Sequence, residues 1–136
     1  MRQEHDRGGS YVEILLALAL FVTAGAAILG AYMAMSDLSD HATLSMKAVT
    51  DLEAVMERIA STSFPNVTTQ FPDGVANGGV SNPYATMIGG YTLPGEQITV
   101  TYPSQTANRL EIVATLAWTH RSRARSTVFS TVKTKG

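Results

Sequence analysis

The feature that most constrains this chain is a run of 23 residues, 14–36, without a single charged side chain. As an α-helix that rises about 1.5 Å per residue, the run spans roughly 34 Å, and the hydrocarbon core of a bilayer is about 30 Å thick. The run is therefore long enough to cross a membrane. The sequence predicts one transmembrane helix near the N-terminus.

The charges on either side of this run predict its orientation. Arg2 and Arg7 precede the run, whereas Asp37 and Asp40 follow it. Because positively charged flanks stay in the cytoplasm, we expect a short cytoplasmic leader and an exported remainder. A secretory signal would carry its cleavage site after a shorter apolar region and would be discarded. Here the charged leader comes first, so we expect the mature protein to retain the apolar helix.

A short junction lies at the start of the apolar run: a basic residue, a glycine, four further residues and one glutamate. It consists of Arg7-Gly8-Gly9-Ser10-Tyr11-Val12-Glu13. This junction resembles the class III signal of type IV pilins and pseudopilins, although the first mature residue in that family is usually bulky. The resemblance implies that a prepilin peptidase cleaves after Gly8 and methylates the new amine of Gly9. Cleavage after Gly9 is the alternative.

The resemblance also implies a role for Glu13, which would be the fifth residue after cleavage at Gly8. A carboxylate in an apolar setting is costly unless it is paired. In this family the glutamate is taken to pair with the N-terminal amine of a neighbouring subunit and to set the register of the filament. An interfacial carboxylate at the end of a transmembrane helix is the alternative interpretation.

The remainder of the 136 residues suffices for one small exported head. The sequence contains no cysteine, so no disulfide can stabilise this head, and its net charge of -1 argues against wholesale nucleic-acid binding. We divide the chain into a leader (1–8), a transmembrane and filament-core helix (9–36) and an exported head (37–136).

Helical periodicity continues beyond the apolar run. Apolar and small residues at spacings of three and four predict an amphipathic helix over residues 37–62, which ends before Pro65. We expect this seam to pack on the protein's own sheet, with a coiled coil as the alternative. The seam residues are Leu38, Ala42, Ser45, Val49, Leu52, Met56 and Ile59.

The rest of the head divides into a loop and a sheet. Residues 63–95 are rich in Gly, Pro, Asn, Ser and Thr, which predicts a loop, and a short strand near Tyr91 is an alternative that the pattern leaves open. Apolar and β-branched residues then alternate with a period of two, which predicts a three-stranded antiparallel sheet within residues 96–134. The expected strands are 97–102, 110–119 and 126–134, and the expected core on the sheet is Leu110, Ile112, Leu116 and Trp118.

These patterns together predict the α+β class: a long N-terminal helix packed on a small antiparallel meander. Pilins have the same architecture. No grouping of side chains indicates catalysis, and we expect no enzyme activity, metal site or cofactor. His5, His41 and His120 are scattered along the sequence, and Asp73 and Glu96 are too few to form a calcium site.

Two sets of residues are candidate contact surfaces. Ala26, Gly30 and Ala34 recur at every fourth position, which places small side chains on one helix face and permits close helix packing in lipid. The general abundance of Ala and Gly in membrane helices is the alternative explanation.

The second set is a group of alternate arginines, Arg121, Arg123 and Arg125. On an extended chain they would point to one side and bind phosphates or a negatively charged partner. A solvated hairpin tip is the simpler interpretation, and we favour it.

The resemblance implies a structural subunit of a type IV pilus-like filament, most like a minor pilin that primes or tips the filament. A minor pseudopilin of a type II secretion system is the alternative within this class. A DNA-contacting subunit of an uptake filament, using the arginine hairpin, is the alternative from another class. The implied partners are prepilin peptidase, other pilin or pseudopilin subunits, an inner-membrane assembly platform and membrane lipid. The implied location is the bacterial inner membrane and then a pilus or periplasmic pseudopilus.

Overall fold

A computed structural model describes residues 6–135 of the chain, with side chains described from residue 11 onward. The chain divides into two compact units, of which the first ends at Asp40 and the second begins at His41. Its elements are helices α1 (Asp6–Ser61), α2 (Val67–Gln70) and α3 (Tyr84–Ile88), and strands β1 (Gln97–Thr106), β2 (Arg109–His120) and β3 (Arg123–Thr134).

The three strands form one antiparallel sheet in the order β1-β2-β3, which confirms the predicted α+β class and the meander. The register of β1 on β2 shifts between Thr101 and Ser104, at Pro103, because proline cannot donate a ladder hydrogen bond. The register of β2 on β3 continues without a shift from the Arg109 pair to the His120 pair. The strands are therefore longer, and their connections shorter, than the sequence predicts.

The C-terminal part of α1 packs on this sheet through a face made of Ala48, Leu52, Val55 and Ile59. The predicted seam is partly wrong, because Val49 and Met56 are only half-buried and Ala42 is exposed. With 3.6 residues per turn, the buried face lies about 60° around the helix from the predicted one. The rotation turns small Ala48 towards the sheet and also buries Asp51, a residue that sequence reasoning places outside the seam. On the sheet, the predicted core residues Leu110, Ile112, Leu116 and Trp118 are all buried.

A lysine on the edge strand joins the end of α1 to the sheet. The ammonium group of Lys133 donates hydrogen bonds to the carbonyl oxygens of Ile59 (2.9 Å) and Ala60 (2.7 Å). The last carbonyls of a helix lack partners within the helix and carry partial negative charge, so a cation stabilises them. Lys133 therefore fixes β3 against the C-terminus of α1.

Residues 63–95 contain local structure of their own, in helices α2 and α3 and two short 3₁₀ turns. Their apolar side chains Val67, Phe71, Tyr84 and Leu93 are buried in the core. The alternative of a short strand near Tyr91 does not hold: this residue is exposed and lies between the end of α3 and the turn that precedes β1.

The same segment covers the outer edge of β1. The amide of Ile98 donates to Oδ1 of Asn77 (2.7 Å), and the amide of Tyr102 donates to Oδ1 of Asp73 (3.1 Å). In return, the carbonyl of Val100 accepts a hydrogen bond from the amide of Gly74 (2.8 Å). Main-chain groups along this edge are thus paired within the chain.

Gly78 and Gly74 offer a matched test of this packing. Both have left-handed backbone angles, with φ +71° and +68°, but a Cβ at Gly78 would lie 2.6 Å from Cε1 of buried Tyr84, whereas one at Gly74 would meet nothing within 4 Å. Both alanine substitutions should cost about 1 kcal/mol for the backbone angle. Gly78→Ala should cost a further ~1–3 kcal/mol for overpacking.

Chemical unfolding followed by the fluorescence of Trp118, the single tryptophan, measures both values. Equal destabilisation by the two substitutions would contradict the close packing of Tyr84 on Gly78.

Candidate functional site

The N-terminal unit presents an apolar helical surface that no part of that unit covers. Every side chain from residue 11 to residue 40 is exposed, and only Gly25 is half-buried. Phe21, for example, is 77% exposed. Among the described residues, α1 is the one helix long and apolar enough to cross a membrane. Contiguous apolar surface of this extent is unfavourable in water and marks a region that contacts lipid or other protein.

The threonine hydroxyl in the middle of this surface is satisfied by the helix itself. Thr23 Oγ1 lies 3.0 Å from the carbonyl oxygen of Ala19 and 2.9 Å from that of Leu20. A hydroxyl that donates to its own helix backbone needs no water and no outside partner. Thr23 is therefore compatible with an apolar environment around α1.

Glu13 is exposed on α1 directly before the uncharged run. It is the one carboxylate between residue 11 and Asp37, so it is the single formal charge on this part of the helix. An unpaired carboxylate resists transfer into an apolar environment, and a cationic partner offsets that cost. A positively charged group beside Glu13 would offset that cost, and the predicted assembly role of Glu13 stays a prediction. The predicted cleavage residues Gly8 and Gly9 lie in the part of α1 described only as helical backbone, and His5 lies outside the described residues.

The small-residue face of Ala26, Gly30 and Ala34 is exposed, and α1 continues through it without a break. A Cβ built on Gly30 would meet nothing within 4 Å. Nothing in the described chain therefore fills the space beside Gly30. Packing of another helix against this face stays a prediction.

The arginine hairpin differs from its predicted geometry. β2 and β3 are joined by a two-residue turn, Arg121-Ser122, in which both residues have positive φ angles of 48° and 62°. Such angles are typical of the tight turns that match the twist of a hairpin. Arg121 therefore does not lie on extended chain, and the prediction that all three arginines point to one side is wrong. Of the three, only Arg123 and Arg125 share a face of the sheet. They are the cross-strand partners of His120 and Trp118, and both are exposed.

The head contains a buried pair of acidic residues that the sequence does not predict. Asp51 on α1 and Glu96 before β1 are each only 7% exposed. Oε2 of Glu96 accepts the amides of Thr92 (2.9 Å) and Leu93 (3.0 Å), and the Thr92 hydroxyl donates to Oδ2 of Asp51 at 2.6 Å. The pair connects α1 to the turn before β1. The sequence indicates this buried pair only weakly, because nothing in the sequence distinguishes Asp51 from a solvent-exposed charged residue of a helix.

The other carboxylate oxygen of Glu96, Oε1, is buried without a hydrogen-bond partner in the described structure. Burial raises the pKa of Glu96 above its usual value, and the nearby carboxylate of Asp51 raises that pKa as well. A proton on Glu96 would remove one of two neighbouring charges. This arrangement stabilises the head most when Glu96 is neutral.

Among residues 6–135, no three His, Asp or Glu side chains converge as a metal site requires. In comparisons with known proteins, no family model matches the chain, and no curated protein or solved structure shows significant similarity to it. A long apolar N-terminal helix followed by a small antiparallel sheet is compatible with a pilin-like fold.

The buried acid pair predicts how the stability of the head depends on pH. Because the folded-state pKa of Glu96 is raised, its stabilising contribution is complete below the unfolded-state pKa and is lost as pH rises through the folded-state value. In Glu96→Gln, the amide oxygen keeps the two backbone hydrogen bonds, and its NH₂ group never ionises. The variant should therefore gain stability relative to the natural protein as pH rises from about 4 to 8.

Thermal unfolding monitored by Trp118 fluorescence across this range tests the expectation, with Glu57→Gln at an exposed position of α1 as the control. Parallel pH profiles for the natural protein and Glu96→Gln would contradict it.

Proposed function

We propose that this protein is a non-enzymatic structural subunit of a type IV pilus-like filament, inserted in the bacterial inner membrane through α1 before it joins the filament. The observation that carries the proposal is the exposed apolar surface of residues 14–36, with Glu13 as the one charge at its start. The glycine pair Gly8 and Gly9 precedes that charge at the spacing of a prepilin cleavage site.

The apolar surface of α1 suits two environments in succession, first lipid and then the filament. Lipid covers it first, because a helix of this length matches the hydrocarbon core and its Thr23 hydroxyl is satisfied internally. Apolar helices of neighbouring subunits then replace lipid in the filament. The open space beside Gly30 allows such a neighbour to approach closely.

Glu13 distinguishes this proposal from a simple membrane anchor. An anchor needs no carboxylate at the edge of its apolar span, and a charge there opposes insertion. Cleavage after Gly8 would create an amine that carries a positive charge. In a filament of staggered helices, the amine of one subunit would neutralise Glu13 of the next. This pairing favours one axial position over others.

The two alternatives rest on different residues. A minor pseudopilin of a type II secretion system would use the same helix, glutamate and cleavage site, so it belongs to the same proposal. A DNA-contacting role rests on the arginine hairpin alone. Because Arg121 lies in the turn, only Arg123 and Arg125 remain on a common face, and that role has less support than the filament role.

Glu13→Val tests the pairing. The substitution makes the helix more apolar, so membrane insertion and cleavage should be unchanged. Without the carboxylate, the amine of the neighbour would remain an unpaired buried charge, which costs about 3–5 kcal/mol. The amount of the variant in purified filaments should therefore fall by roughly tenfold or more relative to its amount in the membrane.

Immunoblots of filament and membrane fractions provide both values, and Glu57→Gln, which removes an exposed charge from the head, is the control. Normal incorporation of Glu13→Val would show that Glu13 acts as an interfacial anchor and does not pair with a neighbouring subunit. Loss of the variant from the membrane fraction would instead assign it a role in insertion or stability.

A further inference from the structure

One edge of the sheet is covered by the chain, and the other edge has no strand paired to it among the described residues. The outer edge of β1 is covered by residues 73–77 through the hydrogen bonds of Asn77, Asp73 and Gly74. β3 is the last strand in the sheet order, and no described strand pairs with its outer side. We call the main-chain groups on that side the β3 edge. An uncovered edge strand is a template for pairing with another extended chain.

The turn geometry identifies the residues that form this edge. In a two-residue hairpin, the residues that flank the turn exchange both main-chain hydrogen bonds, and bonded positions then alternate along the strands. His120 and Arg123 flank the turn, so the odd-numbered residues of β3 bond to β2. The even-numbered residues direct their amide and carbonyl groups to the β3 edge. They are Ala124, Ser126, Val128, Ser130, Val132 and Thr134.

The middle of β3 lacks the devices that usually protect an edge. Residues 126–132 contain no charge, proline or glycine, and β3 has no bulge against β2. Val128 and Val132, at 55% and 48% exposure, lie on the face of the sheet that points away from α1. Segments of six or seven β-forming residues without charge or proline pair readily with other strands.

The charges on β3 itself are all positive, and the acidic residue nearest in register is Glu111 of β2, which pairs with Val132. Arg123 and Arg125 lie at one end of β3 and are exposed, and β3 carries no acidic residue. Lys133, at the other end, is engaged with the C-terminus of α1 and is not available to a partner. A strand beside β3 would therefore meet a positive end at Arg123 and Arg125 and an uncharged remainder.

We propose that the β3 edge binds an extended strand of a different protein, with acidic side chains beside Arg123 and Arg125 and β-branched side chains along residues 126–132. Main-chain hydrogen bonds to the even-numbered residues would provide affinity, and the arginines would fix the register. A second copy of this chain is not the partner: antiparallel pairing of two β3 strands would confront basic residues with basic residues, and the β1 edge is already covered.

The test uses the full chain in lipid nanodiscs and a fluorescein-labelled nine-residue peptide as the probe. The peptide alternates threonine and valine but carries glutamate at its last and third-last positions, so that both glutamates lie on the face of Arg123 and Arg125 in antiparallel pairing. A matched peptide carries lysine at these two positions instead. Fluorescence anisotropy should show saturable binding of the acidic peptide, roughly tenfold or more weaker binding of the basic one, and weaker binding at high salt.

Two substitutions at one position then test the role of the main chain. Ser130→Pro removes an amide that points to the β3 edge and leaves the hydrogen bonds to β2 in place, whereas Ser130→Thr keeps the amide. The proline variant should bind the acidic peptide about tenfold more weakly, and the threonine variant should bind within about twofold of the natural protein. Thermal unfolding followed by Trp118 fluorescence reports whether each variant is folded.

A charge-reversed variant, Arg123→Glu with Arg125→Glu, keeps the proposal testable if the proline variant does not fold. This variant should prefer the basic peptide to the acidic one. Absence of binding by the acidic peptide, an unchanged preference after charge reversal, or equal binding by folded Ser130→Pro and Ser130→Thr would overturn the proposal. Association of the protein with itself through β3, detected by sedimentation and abolished by Ser130→Pro, would also overturn it.

Discussion

An uncharged helical surface exposed on every side is the constraint on which this molecule depends. Burial of apolar surface is worth about 25 cal/mol per Å², so residues 14–36 cannot remain in water when lipid or protein is available to cover them. The hydroxyl of Thr23, near the middle of the run, bonds to its own helix and needs no partner outside it. Glu13 is the one charge that directly borders the N-terminal end of this run. The proposed filament function follows from what can cover such a surface and what can neutralise that charge.

The head meets a different requirement, because it must fold from a short stretch of chain without a disulfide. Its core is extended by residues 63–95, which contribute Val67, Phe71 and Tyr84 in addition to covering the β1 edge. Hydrogen bonds between distant parts of the head add to the packing of this core. Lys133 joins β3 to the end of α1, and the network of Asp51, Thr92 and Glu96 joins α1 to the turn before β1. These hydrogen bonds join α1 to β3 and to the turn before β1 and leave the β3 edge uncovered.

The fold class could be predicted because it depends on periodicity. A period of two over the last forty residues specifies the sheet, and the burial of Leu110, Ile112, Leu116 and Trp118 follows from alternation alone. The rotation of α1 could not be predicted, because Val49 and Met56 fit a spacing of three and four as well as Ala48 and Val55 do. That choice depends on contacts with distant parts of the chain, such as the hydrogen bond that Asp51 accepts from Thr92, 41 residues away.

The candidate site likewise combines features that the sequence predicts with features that it does not. The apolar run and the position of Glu13 are properties of the sequence, and the structure adds that no other part of the N-terminal unit covers the helix. The arginine hairpin was predicted from alternation, which fails where the chain turns: the positive φ of Arg121 removes it from the row. The uncovered β3 edge could not be predicted, because it depends on which strand lies at the end of the sheet and which edge the loop protects.

The central claim is that the N-terminus is a prepilin signal, and the mass of the mature N-terminus tests it most directly. The full chain is co-expressed with a prepilin peptidase, purified from membranes and analysed by intact-mass and fragment mass spectrometry. We predict a chain that has lost eight residues and carries a methyl group on the amine of Gly9. A chain that begins at Ser10 would move the cleavage site by one residue. A chain that still begins at Met1 in the presence of active peptidase would contradict the account.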